Sequence, residues 1–168
     1  AEGKLFRYRL EPETKAIERE GLFQLASAAE QCQIDSNSER LYVVTGGSVI
    51  WVFDLSQSGL TMPRAVTTDR VVESLNGITL YGGEYVISQS EGDRAFLVFE
   101  TNRMQLVAQF RVVADVRSGV DGIGVVASFE ARSQPVNNMS MGLLAIRDSQ
   151  NRLPDDQENL KLIDWRLI

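Results

Sequence analysis

Short apolar runs recur along the whole chain, most of them with a polar residue at every second position, and each is bounded by Gly, Pro, Asn, Asp or Ser. That is the pattern of half-buried or fully buried β-strands separated by turns. It predicts strands over Lys4–Leu10, Ile17–Leu25, Cys32–Ile34, Arg40–Val44, Val49–Leu55, Arg64–Thr68, Gly77–Tyr81, Glu84–Ser88, Ala95–Glu100, Leu106–Val113, Ile123–Ala127, Gly142–Ile146 and Asn159–Ile163. Only Ser27–Gln31 and Leu153–Glu158 leave room for a helical turn. The expected fold class is all-β.

The strands repeat in groups. Glu30-Gln31-Cys32, Asn76-Gly77-Ile78 and Asp121-Gly122-Ile123 each open a short strand, at steps of 46 and 45 residues. Leu5-Phe6-Arg7-Tyr8, Ile50-Trp51-Val52-Phe53 and Phe96-Leu97-Val98-Phe99 align at steps of 45 and 46, and Tyr42 and Tyr85 lie 43 apart in matching strands. One unit is thus about 45 residues and four strands, the size of a β-propeller blade, whose twisted sheet buries both faces only when neighbours stack around an axis. The strands divide into two, four, four and three. This gives one partial propeller domain over residues 1–168 with about three to three-and-a-half blades, too few to close a ring, which needs at least four. The last group carries a long insertion between Ser128 and Met141 and a polar loop over Arg147–Glu158.

Composition narrows the chemistry. The 168 residues are 43% apolar and 24% charged, as expected of a water-soluble globular domain. No apolar run approaches the roughly 20 residues of a membrane span. The start, AEGKLFRYRL, has no signal-peptide pattern, so any export signal is expected to have been removed or never present. A net charge of -6 argues against nucleic acid or an anionic membrane as partner. The chain has no histidine, which excludes imidazole-based triads and HExxH zinc sites. The single cysteine, Cys32, permits no internal disulfide or zinc cluster, and its simplest reading is a small buried residue.

In an up-and-down sheet every second connection lies at the same end, so the loop before a blade's first strand shares a rim with the loop between its second and third. The first-strand openings bring Glu30, Asn76 and Asp121 to this rim. The other loops bring Thr45–Ser48, Ser90–Arg94 and Arg147–Asn151. Two readings stay open: oxygen side chains converging near the axis as a site for a hard cation such as calcium, or turn residues that bond blade-edge amides. An EF-hand over Asp148–Glu158 is excluded, since Arg152 and Leu153 stand where that loop needs an oxygen ligand and a glycine. Thr45-Gly46-Gly47-Ser48 reads as a hairpin turn and not a phosphate loop. The acidic Asp155–Glu158 stretch reads as a solvated loop, and Asn138-Met139-Ser140 as a glycosylation triplet that matters only in a eukaryotic secretory pathway.

The order and spacing of these segments resemble the C-terminal half of the β-propeller phytases, the alkaline calcium-dependent family with a six-bladed ring. The resemblance runs from about Lys4 to Ile168. It is carried by Glu30-Gln31-Cys32, Arg40-Leu41-Tyr42-Val43, Val49-Ile50-Trp51-Val52-Phe53, Asn76-Gly77-Ile78-Thr79-Leu80-Tyr81 and Tyr85-Val86-Ile87-Ser88-Gln89-Ser90-Glu91-Gly92. It continues through Phe110-Arg111-Val112, Val120-Asp121-Gly122-Ile123, Gly142-Leu143-Leu144-Ala145-Ile146-Arg147-Asp148 and Asn159-Leu160-Lys161-Leu162-Ile163-Asp164-Trp165.

The resemblance implies a phosphoric monoester hydrolase that releases phosphate from myo-inositol hexakisphosphate, with calcium on the ring's top face. It places Glu30 and Asp121 at acidic catalytic and calcium positions, Asp148 and Asn151 at further metal positions, and Glu91, Arg94 and Arg147 on the substrate side. Glu91 stands where the family usually has glutamine. It further implies a secreted or periplasmic bacterial protein. Some carboxylates are missing: the family's glutamate in Glu-Gly-Leu-Thr is Asn76, an acidic run is Thr45-Gly46-Gly47, and the acid after Asp-Gly-Ile is Gly124. Fewer ligand charges weaken calcium binding. The alternative expectation is a non-catalytic, incomplete propeller module that binds an anionic ligand or a partner domain; a calcium-dependent lactonase-type hydrolase is a third. Open blade edges predict that a second copy, or the remainder of a longer chain, completes the ring.

Overall fold

The computed structural model describes residues 3–56, 62–117, 119–150 and 158–168. Among these residues, thirteen strands form four antiparallel sheets. A two-stranded sheet joins β1 (Gly3–Leu10) to β2 (Ile17–Leu25). A four-stranded blade follows: β3 (Ala29–Asp35), β4 (Arg40–Thr45), β5 (Val49–Asp54) and β6 (Arg64–Thr67). The next blade holds β7 (Leu75–Tyr81), β8 (Tyr85–Ser90), β9 (Ala95–Glu100) and β10 (Gln105–Phe110). The last has three strands, β11 (Val126–Arg132), β12 (Leu143–Asp148) and β13 (Asn159–Asp164), and ends in a 3-10 turn over Trp165–Leu167. Within each sheet, consecutive strands pair.

Period-2 alternation explains the stacking. In β9, Phe96 and Val98 enter the core shared with the last blade, while Leu97 and Phe99 enter the core shared with the preceding blade. β4 does the same: Tyr42 and Val44 face one neighbour, and Leu41 and Val43 face the β1–β2 sheet with Phe23 and Leu5. A strand apolar on both sides is stable only between two others. The innermost strands are tied by side chains in place of a ladder. Gln31 Oε1 accepts the Ile78 N–H at 3.1 Å, and Thr79 Oγ1 donates to Glu130 at 3.0 Å while accepting the Ala131 N–H at 3.1 Å. Trp165 stacks on Tyr81 with ring centroids 3.6 Å apart, fastening the chain's last turn to the middle blade.

Most expected strands stand within a residue or two of their places, with informative differences. β11 starts at Val126 and not Ile123, because the N–H groups of Gly124 and Val125 are drawn to the Asp148 carboxylate and leave the ladder. The expected insertion after Ser128 is strand as far as Arg132. Gly142, at φ +83°, closes the loop that follows; a Cβ there would lie 1.9 Å from the Arg132 carbonyl. Ser27–Gln31 holds no helical turn, since β3 begins at Ala29. The turn expected at Leu153–Glu158 falls outside the described residues save Glu158. Cys32 is exposed, contrary to expectation, and so is Ile34 on the same side of β3. On that face Leu5 and Phe23 of the β1–β2 sheet pack on β4 and β5, and Cys32 and Ile34 are left exposed.

Both ends of the stack are open. Phe6, Tyr8, Leu10, Ile17 and Leu22 are exposed at one end, and Leu160 and Leu162 at the other. Two substitutions separate the kinds of burial. Ile87→Ala, in the core between the middle and last blades, is expected to cost about 2–5 kcal/mol. Tyr42→Phe is expected to be neutral or stabilising by up to about 1 kcal/mol, because the buried Tyr42 hydroxyl has no hydrogen-bond partner among the described residues. Urea denaturation of the two variants checks both.

Candidate functional site

The loops ending at Ala29, Leu75 and Val126 and those after Thr45, Ser90 and Asp148 meet at one rim, as the up-and-down connectivity requires. The first strand of each complete or partial blade is irregular just below it. Register breaks lie between Ala29 and Gln31, between Asn76 and Ile78, and between Val126 and Ser128. Such bulges turn side chains out of the pleat and toward the mouth. At the middle blade the bulge needs glycine: Gly77 has φ +75°, and a Cβ there would press on Phe129 and Gln31.

A cavity of about 220 Å³ opens at the middle of this rim, lined by Glu73, Asn76, Gln89, Glu91, Gly92, Arg94 and the Gly124–Val126 segment. Its walls are held by backbone: Glu91 N–H donates to Ser74 O at 2.9 Å, and Gly92 N–H to Val72 O at 3.1 Å. Ser74 Oγ donates to the Glu91 carboxylate at 2.7 Å. Glu73 and Arg94 both adopt left-handed backbone, at φ 67° and 56°, a conformation that costs a non-glycine residue about 1 kcal/mol or more. Gln89 is 2% exposed, and its Oε1 has no hydrogen-bond partner among the described residues. A larger depression of about 610 Å³ lies beside it, lined in part by Arg70, Asp93, Phe110 and Arg111. Its arginine at 111 is already bound to Asp93 at 2.5 Å. The smaller cavity therefore offers the more open chemistry, oxygen-rich with one guanidinium.

A second cluster lies behind the Gly124–Val125 wall. Lys161 Nζ stands 2.5 Å from Asp148 Oδ2, 3.0 Å from Asp121 Oδ1 and 3.1 Å from Asn159 Oδ1. Asp148 is fully buried and also accepts the N–H groups of Gly124, Val125 and Gln150. Burial by itself pushes the Asp148 carboxyl up. The hydrogen bonds from Lys161, Val125, Gln150 and Gly124 outweigh it and hold the group below the usual carboxylate range.

The expected site residues thus divide. Asn76, Glu91 and Arg94 share the mouth cavity. Asp121 and Asp148 share the lysine cluster. Glu30 is exposed one blade away, against the β4–β5 turn, where a Cβ on Gly46 would lie 2.8 Å from its carboxylate. Arg147 is not in the cavity: it forks onto Glu158 at 2.8 and 2.9 Å on the open face of the last blade. Asn151 lies outside the described residues. Asp121 does not open a strand as Glu30 and Asn76 do, because β11 begins five residues later. Glu73, Gln89 and Lys161 were not singled out from sequence. Lys161 is 7% exposed while its neighbours Leu160 and Leu162 are 63% and 52% exposed, so the polar side of this strand is the one turned inward.

Among the described residues, no three acidic or cysteine side chains converge as a metal site. No helix there is long and apolar enough to cross a membrane. A family model described as Phytase matches residues 10–168. Among solved structures, the chain is similar to "Structure of U3-55K", with a TM-score of 0.58, 13% identity, and coverage of 94% of this chain and 45% of that one. It is also similar to "Crystal structure of RRP9 WD40 repeats", with a TM-score of 0.54, 14% identity, and coverage of 81% and 37%. At such identities the likeness is one of fold, a β-propeller, and the chain spans less than half the length of either structure.

The lowered Asp148 carboxyl sets a pH dependence. Its folded value lies below the unfolded value of about 3.9, so its contribution is complete at neutral pH and is lost as pH falls below about 4 through the folded value. Thermal midpoints measured from pH 7 to pH 3 are expected to fall more steeply in the wild type than in Asp148→Asn, which starts lower at pH 7.

Proposed function

The chain belongs to the phytase family, and from that premise we propose that it forms part of a calcium-assisted phosphoric monoester hydrolase that releases phosphate from myo-inositol hexakisphosphate. The observation that supports this reading best is the mouth cavity, where a buried amide oxygen with no partner among the described residues sits beside two glutamates, an asparagine and an arginine. A protein of net charge -6 repels a polyanion unless a cation reverses the local field.

The donors here suit a hard cation. Calcium takes six to eight oxygens, from carboxylates, amide carbonyls and water. Glu91, Glu73, Asn76 and Gln89 would hold it, and the neutral Asn76 and Gly124 make the site a weak one. When bound, calcium would polarise a phosphoryl group and favour hydroxide over water as nucleophile. Arg94 is the cavity's own cation, and its planar fork suits two oxygens of one phosphate. Glu30, exposed on the same rim, is retained as the acidic group of the neighbouring blade. Asp121 acts on the rim through Lys161, and Arg147, turned to Glu158, is available to substrate only if that pair opens. Asn151 keeps its place in the proposed metal set by resemblance alone. A secreted or periplasmic location belongs to the same reading.

A second reading has its own support. The apolar open ends at Phe6, Tyr8, Leu10 and Leu160 call for a cover, which a second copy or the remainder of a longer chain would supply by completing the ring. With Thr45, Asn76 and Gly124 all uncharged, the chain would then serve as an anion-binding or partner-binding module without catalysis.

Phosphate release from inositol hexakisphosphate, with calcium and with chelator, decides between them. The proposed hydrolase releases phosphate only with calcium, and Arg94→Ala and Glu91→Gln lower that rate about a hundredfold. No turnover with calcium, from the chain or from any oligomer it forms, would leave the binding module as the account.

A further inference from the structure

The Lys161 cluster carries a conclusion that does not depend on phosphatase activity. By resemblance, Asp121 and Asp148 are calcium positions, yet the Asp148 carboxylate is already taken up by other donors and Asp121 already faces an ammonium. The Lys161 ammonium donates to Asp148 Oδ2 at 2.5 Å and to Asn159 Oδ1 at 3.1 Å, and it forms an ion pair with Asp121 Oδ1 at 3.0 Å. Asp148 Oδ1 accepts three backbone N–H groups, from Gly124, Val125 and Gln150, each at 3.1 Å. Its Oδ2 takes Lys161 and a second bond from Gly124 at 3.2 Å. A carboxylate has about four lone-pair sites, so Asp148 has none left for a metal without breaking the loop that forms the cavity wall. Calcium would also need six or more oxygens at about 2.3–2.6 Å in a place where an ammonium already stands 2.5–3.1 Å from the oxygens of Asp148, Asp121 and Asn159.

We propose that Lys161 is the permanent cation of this carboxylate pair, a tethered ammonium that joins Asp121 to Asp148 and closes the last blade's rim to calcium. Among the described residues, metal binding is thereby left to the mouth cavity and the Glu30 side. Lys161 also has a structural consequence: β13 becomes the strand that fixes the 122–125 segment, and with it one wall of the cavity. It is a positioning residue, 7% exposed and acting on the cavity through Asp148.

The chain has three lysines, which makes the test direct. Lys4 and Lys15 are exposed, and Lys161 is 7% exposed. Amine acetylation of the folded protein, read by peptide mass spectrometry, should modify Lys161 at least tenfold more slowly than Lys4 and Lys15, by the same factor in calcium and in chelator. Faster labelling of Lys161 on adding calcium would mean that metal displaces the ammonium and would overturn the proposal. Equal labelling of all three lysines would overturn it too. Lys161→Ala should lower the thermal midpoint by on the order of 10 °C, as expected when one partner of a buried pair is removed. An unchanged midpoint contradicts the proposal. So does a wild-type stabilisation by calcium that disappears in Asp148→Asn. If Lys161→Ala does not fold, the labelling of the wild type decides.

Discussion

The structure depends on one requirement: sheets that are apolar on both faces must be covered on both. Phe96 and Val98 face one way and Leu97 and Phe99 the other, so the middle blade cannot stand without a neighbour on each side. Every other feature follows from that. The innermost strands are brought together without a shared ladder and are joined by Gln31 and Thr79. The bulges beneath the rim are tolerated because the cores below them are fixed. The end sheets, which have only one neighbour, leave Phe6, Tyr8, Leu160 and Leu162 in water.

The rim takes its chemistry from the same arrangement. Three blades in sequence each deliver a polar opening, but the cavity forms where loop 72–74 is zipped to loop 90–92 and faces the 124–126 wall. That wall is held by Asp148, which is itself held by Lys161. A buried ion cluster thus supports a solvent-facing pocket from behind. Residues in left-handed backbone at Glu73 and Arg94 are kept there by the loops around them, which fixes the direction in which their side chains leave the chain.

Much of the fold was legible in the sequence, since period-2 runs, turn residues and a 45-residue repeat are local signals. All thirteen strands and their grouping could be read from them, and the family model agrees with the resemblance carried by those segments. The site was less legible for identifiable reasons. Asp121 looked like Glu30 and Asn76 because Asp-Gly-Ile matches Asn-Gly-Ile, but a carboxylate elsewhere, Asp148, captures two amides and delays the strand. Lys161 was hidden because alternation assigns the leucines on either side of it to the interior, and a blade at the open end of a stack reverses that assignment. Cys32 was misplaced because the apolar side chains of the first sheet pack on β4 and β5 and leave it exposed. Gln89 gave no signal, since burial of one amide oxygen is a property of the packed rim alone.

Hydrogen exchange of the intact chain under native conditions tests the stacked-sheet account most directly, because backbone amides report how deeply each strand is held. The account predicts slowest exchange in β4, β8 and β9, buried on both faces, intermediate rates in β12, and fastest exchange in β1, β2 and the outer strand β13. Slowest protection in the β1–β2 sheet, or uniform protection across all thirteen strands, would contradict it.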